Sequence, residues 1–214
     1  EIGAGTRGAS LGIDALKIAA LDFMSNFFVN FPSDVVETEN NLLYEPIESP
    51  YAKRIRGVKH MYERVAKVIE TNIKSGLFPL VLAGDHSSAG GTIAGIKIAK
   101  PNSRLGVIWI DAHADIHSPF TTPSGNMHGM PLAISLAEDN LDCQVHQPDA
   151  QTIKVWNELK NLGDICPKIL PEDLVYIALR DTEKEENHIL KKLGVKVIPV
   201  SEVRKKGVEH VVRQ

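Results

Sequence analysis

The sequence of 214 residues contains only two cysteines, Cys143 and Cys166, too few for a disulfide framework. A reducing, cytoplasmic setting is therefore expected. Basic residues are not in excess: 24 Lys and Arg against 27 Asp and Glu leave a formal net charge of −3, so no field is available to hold nucleic acid. Nowhere does an apolar run approach the ~18 residues of a membrane span, and no membrane partner is expected. An initiating methionine is also missing. The chain opens on Glu1 and a Gly-rich turn, and Gly207–Gln214 reads as the start of a helix without a C-cap. The expectation is a portion of a longer protein, truncated at the C-terminus. What is present is ordinary globular material, 43% hydrophobic and 24% charged, too apolar for a disordered chain.

Four runs read as buried strands: 79–83, 105–110, 174–179 and 195–200. Each is nearly continuous in Val, Ile and Leu, as parallel strands covered on both faces require. Helical patterns lie around them. Val58, Met61, Tyr62, Val65, Val68, Ile69 and Ile73 form one apolar stripe that stops at Ser75-Gly76. Asp14 reads as the N-cap of a helix running to Phe31, ahead of Pro32. Further helices fit 88–99, 131–137, 150–162 and 184–193. Phe23, Phe27, Phe28 and Met61 fall at core positions by helical spacing, and residues 32–51 read as a long surface connection. Strands alternating with helices predict a single α/β domain over 1–214, with a mostly parallel sheet between two layers of helices (α-β-α).

Three of the strand runs end in polar residues that a strand does not need. Gly84-Asp85-His86-Ser87-Ser88 follows the first, Asp111-Ala112-His113-Ala114-Asp115-Ile116-His117 the second, and Arg180-Asp181-Thr182-Glu183 the third. Ligands of open parallel sheets bind outside the carboxyl ends of the strands, which places a site at this edge. Asp111, His113, Asp115 and His117 alternate with small or apolar residues, so extended backbone would send all four side chains to one face. Neighbouring buried carboxylates repel, and a divalent cation removes that penalty. Hard oxygens with few imidazoles and no thiols favour Mn²⁺ over Zn²⁺ or copper, and with His86 there are groups enough for two ions. His86 on its own reads equally as a capping histidine. Thr121–Pro131 is a turn-rich loop with small polar groups at Ser124 and Asn126 and a titratable His128; it reads equally as a plain loop into the next helix. His60, His146, His188 and His210 carry no expected function, and Arg204-Lys205-Lys206 reads as a solvated turn.

Taken together, Gly84-Asp85-His86-Ser87, Asp111-Ala112-His113-Ala114-Asp115 and Ser124-Gly125-Asn126-Met127-His128-Gly129 resemble the arginase family of dinuclear manganese ureohydrolases. The resemblance extends to Gly5–Gly12 and to Tyr176–Asp181, and so covers nearly the whole chain. It implies an arginase-like fold and hydrolysis of L-arginine to L-ornithine and urea by water activated between two Mn²⁺ ions, in a cytoplasmic homo-oligomer, a trimer or hexamer. His86, Asp111, His113 and Asp115 match metal ligands, with Asp111 bridging and Asp115 also among the catalytic groups. His128 matches a proton shuttle. Ser124, Asn126 and Gly129 match the loop that meets the α-carboxylate of the substrate, and Asp181 and Glu183 the contact to its α-amino group. His117 stands where the family has Asn, and Glu183 where it has Asp. These departures at the amino-acid end leave two alternatives: a related guanidino or formimidoyl substrate such as agmatine or formimidoylglutamate, or a non-catalytic member. A second Asp-x-Asp pair expected of the family does not appear in the sequence. No Gly-x-Ser-x-Gly elbow supports a serine hydrolase.

Overall fold

The computed structural model describes residues 1–214 and contains α1 (Leu11–Asp22), α2 (Phe27–Asn30), α3 (Ile55–Lys74), α4 (Ser88–Ala99), α5 (Pro131–Leu136), α6 (Ala150–Lys160), α7 (Lys184–Leu193), α8 (Val200–Lys206) and α9 (Val208–Val212). The strands are β1 (Val107–Ile110), β2 (Leu174–Leu179) and β3 (Lys196–Pro199). They pair in the order β1-β2-β3, all parallel. The chain is thus an α/β protein built on a parallel sheet.

Register decides which side chains are covered. Trp109 lies beside Tyr176, and Tyr176 beside Val197. This row faces α3–α7 and joins a core that includes Tyr62, Ile93, Leu132, Trp156 and Ile189. The opposite row runs from Ile110 through Ile177 to Ile198. Ile198 is buried there, with α8 packed against β2 and β3, whereas Ile108 and Ile110 remain 68% and 71% exposed.

Helices α3 and α4 make the closest helix pair. The α3 stripe of Val58, Tyr62, Val65, Ala66 and Ile69 is buried against a face of α4 that carries Gly90, Gly91 and Gly95. A Cβ on Gly95 would stand 2.6 Å from the Ala66 carbonyl oxygen, so only glycine allows the two backbones to approach this far. This contact sets the direction of α4 and of the turn that precedes it.

Four expectations are corrected. Residues 79–83 form no strand: Val81 and Ala83 face β1 across a cavity of about 500 Å³, without a ladder bond to it. A strand needs a paired backbone as well as apolar side chains. The first helix starts at Leu11 and ends at Asp22, because Met24 adopts φ +54° and breaks it from α2. Asp14 therefore sits inside the helix and Ser10 takes the N-cap. Phe23 is not core but 85% exposed, and Phe27 is exposed as well, since neither α1 nor α2 buries a residue. Finally, Arg204, Lys205 and Lys206 close α8 as its last turn, where positive charge complements the helix dipole.

Candidate metal centre

His86 is carried by the turn that leads into α4. Asp85 fixes this turn, accepting from the Ala4 amide at 3.1 Å and the Ser87 amide at 2.9 Å, with the Ser87 hydroxyl as a further donor. Burial works against its charge, but these hydrogen bonds hold the Asp85 carboxyl below its ordinary pKa. The His86 ring lies on Trp109 of β1 at 4.4 Å between centroids. From there its Nδ1 reaches Asp111 Oδ2 at 2.7 Å and Asp115 Oδ2 at 2.8 Å. The hydrogen bond to Asp115 is the main reason that the imidazole is raised above its ordinary pKa, and the charges of Asp115 and Asp111 add to it.

Asp111 faces two imidazoles. Oδ2 meets His86, and Oδ1 lies 3.6 Å from His113 Nδ1 while accepting from the His113 amide at 3.0 Å. His113 itself is exposed, and its Nε2 stands 3.6 Å from Asp181 Oδ2. One imidazole nitrogen and two carboxylate oxygens, from His86, Asp111 and Asp115, therefore converge within 4.8 Å, and His113 stands to one side. The donors fit a hard divalent cation. A proton on His86 Nδ1 and such a cation would compete for the same lone pair, so metal binding there requires the deprotonated nitrogen.

The single face expected of Asp111, His113, Asp115 and His117 does not form. The segment leaves β1 and curls, because the Ala112 carbonyl accepts the amides of both Arg180 and Asp181 at 3.0 Å, and Asp115 adopts φ +49°. That turn swings Asp115 back towards His86 and sends His117 elsewhere. Buried His117 meets Thr121 Oγ1 at 3.1 Å through Nδ1 and Glu183 Oε2 at 3.3 Å through Nε2. Burial lowers its pKa despite these partners.

Glu183 is the N-cap of α7 and forms a reciprocal capping box with Glu186. Glu186 is passed over in the sequence, where it reads as one more acid on a charged helix. In the fold it is buried, and burial with Glu183 beside it pushes its carboxyl up to about 8. Asp85 is likewise missed, although its place beside His86 was the available signal. The side chain of Asp181 points into solvent.

The remaining expected residues lie on the loop before α5. Ser124 is exposed and its Oγ accepts the Asn126 amide at 3.2 Å. Asn126 and His128 are half-buried, and the His128 amide donates to the Gly3 carbonyl at 3.2 Å. The Gly129 carbonyl accepts the His117 amide at 3.0 Å, which ties this loop to the segment after β1.

A parallel α/β sheet with imidazole and carboxylate groups gathered at its strand ends defines the general class, an α/β protein with a candidate metal centre. The arginase family model matches residues 2–214, and the chain belongs to that family. It is 36% identical to an arginase of Brevibacillus brevis over 222 residues, covering 99% of this chain and 65% of that protein. Human arginase-1 is 39% identical over 171 residues, covering 79% of this chain and 48% of the human protein. Among solved structures, an arginase from Bacillus subtilis superposes with a TM-score of 0.74 at 32% identity, covering 100% of this chain and 65% of that one. The chain thus spans slightly under two thirds, or about half, of the length of these relatives.

Proposed function

We propose that this chain, within its full-length protein, hydrolyses L-arginine to L-ornithine and urea at a centre of two Mn²⁺ ions. The observation that carries the reading is the convergence of His86, Asp111 and Asp115 at one strand-end position in a chain of the arginase family. His86 Nδ1, Asp111 Oδ2 and Asp115 Oδ2 would hold one cation. Asp111 Oδ1 faces His113, and these two groups would hold the second cation. When bound, the pair would supply hydroxide from water near neutral pH as the nucleophile for the guanidinium carbon.

The protein's own groups do the rest. His128 delivers the proton that lets the ornithine amine leave. Ser124, Asn126 and the Gly129 backbone meet the α-carboxylate, while Glu183 and Asp181 meet the α-amino group. His117 pairs with Glu183 and so sits beside that contact. Membership of the arginase family supports a homo-oligomer, trimer or hexamer, and the paucity of cysteine supports a reducing, cytoplasmic setting.

A urea-release assay on the full-length protein, with and without Mn²⁺, tests the reading, with agmatine and formimidoylglutamate as rival substrates. Asp111→Ala is expected to lower turnover by more than about a hundredfold and to lose bound Mn²⁺, since even residues behind the ligands cost ~10–100-fold. If Asp111→Ala kept parental manganese content and urea production, the bridging role would be wrong.

A further inference from the structure

The segment between α5 and α6 folds back onto the loop that carries Ser124, and it does so through His146. The imidazole stacks on Tyr51, with centroids 4.2 Å apart and planes within 13°. Its Nε2–H donates to the Thr122 carbonyl at 2.7 Å. The main chain holds it there, because the Val145 and His146 amides both donate to the Phe120 carbonyl, at 2.9 and 3.0 Å. Thr122 passes the contact on: its hydroxyl accepts the Gly125 amide at 2.9 Å.

Gly125 is gripped from the other side. Its carbonyl accepts the Lys53 amide at 2.8 Å, and at φ +75° it leaves no room for a Cβ against the Pro50 carbonyl. Tyr51 lies between Pro50 and Lys53 and so joins the two grips. The neighbouring Ser49 is pinned in turn by Thr152 of α6, hydroxyl to hydroxyl at 2.8 Å. Residues 122–126 are thus clamped between residues 49–53 and His146, while Ser124 at their tip stays exposed.

We propose that His146, stacked on Tyr51, is a positioning residue that fixes the 122–126 turn so that Ser124 and Asn126 present their polar groups to the carboxylate end of the substrate. This rests on the reading of those two residues as substrate contacts. A surface histidine that merely fills space would leave the turn's mobility and substrate affinity unchanged.

The test uses the full-length protein and two readouts. Amide exchange over residues 124–127, measured without substrate, rises about tenfold in His146→Ala and stays near parental in His146→Gln, whose side-chain amide can donate to the same carbonyl. In the manganese-loaded protein, His146→Ala raises the arginine KM about tenfold with kcat within about twofold of parental, and His146→Gln restores most of the difference. Should His146→Ala not fold, Tyr51→Ala compared with Tyr51→Phe gives the same contrast through the stack. Unchanged exchange overturns the clamp whatever the kinetics show, as does a loss confined to kcat or a failure of His146→Gln to restore either quantity. If the parent protein does not hydrolyse arginine, the proposed reaction falls and the exchange experiment still decides the clamp.

Discussion

At the scale of single residues, Glu186 offers the clearest handle on pH. Its carboxyl, pushed up to about 8 by burial and by Glu183, keeps in the folded state a proton that the unfolded chain gives up near 4.5. The folded state therefore binds more protons between those values, and stability falls as pH rises through that window. Glu186→Gln should flatten the decline and raise stability at pH 8 by on the order of 2 kcal/mol, read by denaturant unfolding at pH 5 and pH 8. A parental slope in the variant would show that another group carries it. None of this is legible in Lys184-Glu185-Glu186, where three successive charges look solvated. The candidate ligand types at His86, Asp111 and Asp115 are legible, because their chemistry is written in the residues themselves. Their grouping was legible only in part: alternation predicts one face for extended backbone, and the turn at Asp115 detaches His117 from the others.

Elements divide along a similar line. The bounds of α4, α7 and β2 coincide with their sequence readings, since each is marked by neighbouring residues such as the Glu183 cap and Gly194. The run 79–83 has the composition of a strand but lacks the backbone partner that only the fold can supply. The glycines of α4 are a signal of another kind, easily mistaken for helix breakers until α3 is placed against them. Gly95→Ala should destabilise the protein by about 1–3 kcal/mol, because the methyl meets the Ala66 backbone and no flexible side chain can yield. Thermal unfolding measures this, and an unchanged Tm would mean that the two helices separate without cost.

Across the whole molecule, apolar surface is unevenly covered. Phe78 is 93% exposed, Leu80 and Ile108 (the latter on the face of β1 opposite Trp109) are exposed too, and α1 buries none of its residues. Exposed apolar area of this extent attracts other apolar surfaces. In residues 1–214, Phe78→Ser with Ile108→Thr should reduce binding of an apolar dye and leave unfolding free energy within about 0.5 kcal/mol of parental. A large loss of stability would place both residues in a packed interior.

The torsion at Asp115 has a chemical consequence. A left-handed backbone conformation costs most side chains roughly 1–2 kcal/mol and is borne best by glycine and by short residues that bond locally, Asn and Asp among them. A thiolate donor at that point would meet a penalty from the main chain before any cation arrived. Peptide geometry thereby disfavours sulfur at this corner of the candidate site and leaves the place to an oxygen donor.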